Sequence, residues 1–121
     1  MPVRLRRAPL ADVDAALSRL DGGDDTSADR RLLVKHLLAV LTERAPGASV
    51  EVRVPPYAAA QCIPGQRHTR GTPPAVVETD AATWIALGTG RMAWADAVGA
   101  GRVIASGERS DLSPWLPLHA G

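Results

Sequence analysis

Phenylalanine is absent from this 121-residue chain, tyrosine occurs once and tryptophan three times. A core without Phe has to be built from Leu, Val and Ala, with single tryptophans at special positions. Cysteine is equally scarce. Cys62 stands alone, which excludes an internal disulfide and offers no spacing of metal ligands. Lysine occurs only at Lys35 while arginine is used freely, a bias of GC-rich coding and not of mechanism. Neither sign of charge is in excess: the formal net charge is +1, which does not point to nucleic acid. No apolar run approaches the ~18 residues of a membrane-spanning helix. Asp12 and Asp14 interrupt the N-terminal segment before a signal-length apolar stretch can develop. The expectation is a cytoplasmic protein without stable membrane insertion, with one modest core.

What is present reads as an ordered series of elements. Residues 1–9 form a basic arm. After Pro9, Leu10, Val13, Leu17 and Leu20 recur at helical spacing, and Gly22-Gly23 end that helix. The acidic run Asp21–Asp25 reads as a polar connector. Thr26 and Asp29 match a capping pair that opens the best helix of the chain, running to Ala45. Leu33, Val34, Leu37, Leu38, Val40 and Leu41 share one broad arc of it, and Arg31, Lys35, His36, Thr42 and Glu43 take the opposite side. Pro46 and Gly47 stop it.

The period then changes to two. Val50, Val52 and Val54 alternate with Glu51 and Arg53 as a half-buried strand, ended by Pro55-Pro56. Tyr57–Ile63 reads as the next strand, antiparallel to the first, and Ala75–Thr79 as a third. Asp80 caps a short helix carrying Trp84, Ile85 and Leu87, which Gly88 and Gly90 terminate. A small helix around Ala93–Ala100, a strand at Arg102–Ser106 and a proline-broken tail at Asp111–Leu118 complete the order. Such a series predicts an α+β fold: a mainly antiparallel, four- to five-stranded sheet with helices packed on one face. Residues 1–25 read as arm and short helix, and 26–121 as the principal part of a single globular domain.

The block DAATWIALGTGRMAWADAVGAGRVIASGERSDLS, residues 80–113, resembles the C-terminal half of the sterol carrier protein type 2 family. It is most similar to that family's short bacterial branch from high-GC Gram-positive (actinobacterial) organisms. The matching features are Trp84 and Leu87 in the capped helix, Gly90-Arg91, Asp96-Ala97, Gly101, the strand Val103–Ala105 and Gly107. The resemblance implies a sterol carrier-like domain over 26–121 that binds a lipid, acyl chain or other apolar small molecule between sheet and helices. It implies neither catalytic residues, nor a cofactor, nor a metal. Carried onto this chain, Trp84, Leu87, Met92, Trp94 and Ile104 are candidate cavity residues, and Leu112, Trp115, Leu116 and Leu118 a candidate lid. Ordinary core is the competing reading for the tryptophans. The family also supplies the alternative function, a protein–protein interaction or dimerisation module that keeps the fold without an open tunnel, so a homodimer is a possible partner state.

Arg67, His68 and Arg70, with Arg53 across the sheet, form a candidate anion site, since guanidinium groups hold carboxylates or phosphates through charge-assisted hydrogen bonds. A solvated hairpin tip, or pairing with Glu51 and Glu78, is the alternative. Cys62 reads as a small buried apolar residue, with His68 the one sequence-local base if it were a nucleophile. Ser106, Ser110 and Ser113 lack a nucleophile elbow, and the glycines of 88–101 fit helix ends better than a phosphate loop.

Overall fold

The computed structural model describes residues 5–65, 75–107 and 110–119. Among these the chain forms α1 (Leu10–Asp21), α2 (Ser27–Arg44), β1 (Val50–Val54), β2 (Ala58–Cys62), β3 (Ala75–Thr79), α3 (Ala81–Gly88), α4 (Trp94–Gly99) and β4 (Val103–Ser106). A 3₁₀ turn at Ser113–Trp115 precedes the tail. The fold is α+β.

Helix α1 starts directly after Pro9, where a missing N–H costs nothing, and buries Val13, Ala16 and Leu17. Thr26 caps α2 by accepting the Asp29 N–H at 3.2 Å. The Asp29 carboxylate takes two N–H bonds from Arg19, at 2.8 and 2.9 Å, and so ties α1 to α2. These bonds from Arg19 hold the Asp29 carboxyl below its usual range. All six apolar residues of the expected α2 arc are buried. His36, expected on the polar side, is buried as well, with 2% of its surface exposed. The correction has a physical cause: a helical wheel assumes one wet side, whereas residues of the N-terminal arm and the C-terminal tail cover α2 there. Ala8 N–H donates to His36 Nδ1 at 3.0 Å, and the His119 ring stands edge-on beside it.

The sheet order is β2-β1-β3-β4. β1 and β2 pair antiparallel, Val50 opposite Cys62 and Val54 opposite Ala58. Pro55-Pro56 make the link, closed by Tyr57 N–H to Val54 O at 3.0 Å. β3 and β4 are also antiparallel, with Thr79 opposite Val103. The central pair β1–β3 is parallel, Val50 beside Ala75, so the sheet is mixed. A parallel neighbour requires a crossover between β2 and β3, where a hairpin would reverse direction.

Alternation sorts the two faces. Val50, Val52, Val54, Cys62, Ala75, Val77, Thr79 and Val103 point into the core with α2 and α3. Glu51, Arg53, Ala59, Gln61, Ile104 and Ser106 lie on the open face. Asp80 caps α3, its carboxylate accepting both the N–H and the hydroxyl of Thr83 at 2.8 Å. The tail returns to that helix: Leu118 and His119 N–H groups both reach Gly88 O, at 2.8 and 2.9 Å. Among the described residues no helix is long and apolar enough to cross a membrane.

Candidate functional site

The expected cavity residues divide into three groups. Trp84, Leu87 and Leu112 are fully buried and packed within the core, the Trp84 Nε1–H reaching Val34 O at 3.4 Å. Met92, Trp94, Trp115 and Leu116 are half-buried against that core, and Leu118 is buried with it. Ile104 is 67% exposed on the open sheet face. Its assignment to the interior is corrected: β4 turns Val103 inward, so the next side chain must point out. It borders a shallow cleft of about 270 Å³ with Pro55, Glu78, Asp80 and Arg102. Between the sheet and α2, Val50, Val52, Val54 and Val77 pack in one buried cluster with Leu33, Leu37, Leu38 and Leu41.

Arg53 lies exposed on the open face, its Nε 3.0 Å from Glu51 Oε1, with Glu78 beside it in register on β3. Arg67, His68 and Arg70 lie outside the described residues. Cys62 is buried, and burial pushes its thiol up to about 11, which suits a packing role. Among the described residues no cluster of three His, Cys, Asp or Glu is placed to hold a metal ion.

Two further openings lie among the described residues. One is a broad trough of about 1280 Å³ beside β2, lined by Leu5, Arg6, Arg7, Thr42, Glu43, Glu51 and Gln61 among others. Its lining mixes Arg6, Arg7, Glu43 and Glu51 with Leu5, Pro46, Ala59 and Ala60, and Arg7 is paired to Glu43; it is a broad trough open to solvent and not an enclosed apolar pocket. The other is smaller and different in kind. A cleft of about 230 Å³ lies between α1, α2 and α3, lined by Leu20, Asp25, Arg30, Ala82, Ile85, Ala86 and Arg91. Ile85 with Ala82 and Ala86 makes an apolar floor on one face of α3, and Leu20 closes it from α1.

Two guanidinium groups stand at the rim of this cleft. Arg30 donates to both oxygens of Asp25 at 2.6 and 2.7 Å. Its positive form is favoured by those bonds and by the Tyr57 hydroxyl. Arg91 grips Asp21 through both terminal nitrogens, at 2.7 and 2.8 Å. The acidic run that reads as a connector thus supplies a carboxylate to each arginine. None of these lining residues stands out as a site in the sequence. The available signal was the Asp21–Asp25 run followed by Arg30, together with the Gly90-Arg91 step.

These elements define a two-layer α+β domain, with α2 and α3 packed on a mixed four-stranded sheet and α1 against α2. Residues 26–118 match the family described as "Bacterial SCP ortholog", and the chain belongs to that family. The match runs from the cap of α2 to the tail, so α1 lies outside it. No curated protein matches the chain.

Proposed function

We propose that this is a non-enzymatic, cytoplasmic binding protein for a small apolar or amphipathic molecule, which it holds in the cleft between α1, α2 and α3. The observation that carries this reading is the apolar floor of Ile85, Ala82 and Ala86 facing Leu20, in a chain of the sterol carrier family. The volume, about 230 Å³, falls below the ~300–1,000 Å³ of ordinary ligand pockets. A short chain or single ring suits that space, and a sterol does not. Native mass spectrometry of freshly purified protein, before and after organic extraction, tests the reading. A co-purifying apolar mass supports it. No bound mass, together with an Ile85 methyl resonance unmoved by 1-octanol, overturns it.

A second reading, an interaction or dimerisation module, is favoured by the closely packed core between sheet and helices and by the exposure of Ile104 on a sheet face that no described helix covers. Sedimentation velocity distinguishes it. A dimer that Ile104→Asp converts to monomer supports this alternative, and a monomer at high concentration removes it.

A further inference from the structure

The geometry points to Arg91 as the group that reads the head of the ligand, a carboxylate on a short apolar tail, with Asp21 of α1 as an internal stand-in that the ligand displaces. This inference rests on the cleft reading above. A guanidinium fork selects planar, two-oxygen acceptors, and the Asp21 carboxylate already sits across Arg91 in that manner. The tail of a ligand whose carboxylate took the same place would lie over Ile85, Ala82 and Ala86, where Leu20 now closes the cleft.

Arg91 is the exchangeable one of the two arginines. Arg30 is held by both oxygens of Asp25, five positions before it in the chain. The partner of Arg91 comes from an element 70 positions away, on a helix that lies outside the family match. Both groups of the Arg91–Asp21 pair are well exposed, at 40% and 57%, and exposed pairs are held weakly enough to be traded. Asp21 is the last residue of α1, followed by Gly22 and Gly23, and Gly23 has φ +90°. Releasing Asp21 therefore asks only the last turn of α1 and a glycine joint to move, and it carries Leu20 away from the mouth. Binding and opening are one event. Arg19–Asp29 keeps the rest of α1 docked on α2.

The test compares octanoate with 1-octanol, the same tail with and without the carboxylate, followed through the Ile85 and Leu20 methyl resonances. Octanoate is expected to bind the wild type more tightly than octanol. Asp21→Asn removes the internal competitor and should tighten octanoate severalfold. Arg91→Gln should weaken octanoate about tenfold relative to octanol measured on the same variant. Both positions are exposed, so unchanged thermal midpoints serve as the folding control. Octanol and octanoate binding equally in wild type and in Asp21→Asn overturns the head-reading role while the cleft stands. Neither probe moving Ile85 overturns the cleft as well.

Discussion

His36 and His119 meet edge to face, their ring centroids 6.3 Å apart, where arm, α1, α2 and tail converge. His36 Nδ1 accepts the Ala8 N–H, and His119 Nε2 lies 3.4 Å from Asp14 Oδ1. Arg7 and Glu43 complete the charged surroundings. Burial lowers the pKa of His36 from its ordinary 6.5, and His119 and Arg7 lower it further, against Glu43. A proton on Nδ1 also removes the acceptor that holds the arm.

This arrangement makes stability depend on pH in a defined direction. The folded His36 binds a proton less readily than the unfolded one, so its contribution is complete above 6.5 and is lost as the pH falls below that value. Denaturant titrations at pH 7.5 and pH 5.0 should show the lower stability at pH 5.0. His36→Gln, neutral at both, should flatten that interval. A separate loss at lower pH should persist in the variant, because Arg19 holds the Asp29 carboxyl low and Arg30 that of Asp25.

Trp84 carries the largest fully buried side chain, from α3 into α2. Trp84→Ala should cost about 3–5 kcal/mol, the range for a large aromatic removed from a packed core. Chemical denaturation measures it. A loss below about 1 kcal/mol would mean that the site is already loosely packed.

Gly47 has φ +149°, and a Cβ there would lie 2.2 Å from Ile63 O. That carbonyl is not free to yield: it accepts Ser49 N–H at 3.2 Å and the Ser49 hydroxyl at 2.7 Å. Gly47→Ala should therefore destabilise by about 1–3 kcal/mol, as overpacking of a fixed backbone does. The thermal midpoint should drop, with exchange of the Ser49 amide accelerated.

The Cys62 thiol is fully buried, with its pKa near 11. Native protein at pH 8 should react with a disulfide reagent very slowly, and unfolded protein at the rate of an ordinary thiol. Cys62→Ser should lose stability through an added buried hydroxyl while leaving octanol binding in the cleft unchanged.

Much of the architecture was legible in local pattern. The period-two alternation of Val50, Val52 and Val54 does set one sheet face, and the Thr26 and Asp80 caps begin their helices as read. The family resemblance carried by residues 80–113 extends over 26–118. The candidate site was much less legible. Leu20, Ile85 and Arg91 come from separate stretches, and each alone has the look of a core residue or a solvated charge.

Spacing along the chain determined which segments are helix and strand and which side chains each element can bury, because those properties depend on neighbours within a few residues. Tertiary structure alone decided that β3 runs parallel to β1, that His36 is covered, that Ile104 faces out, and that Asp21 meets Arg91. Each of these depends on which distant segment arrives at a given face, and the period of a helix or strand carries no information about what lies across from it.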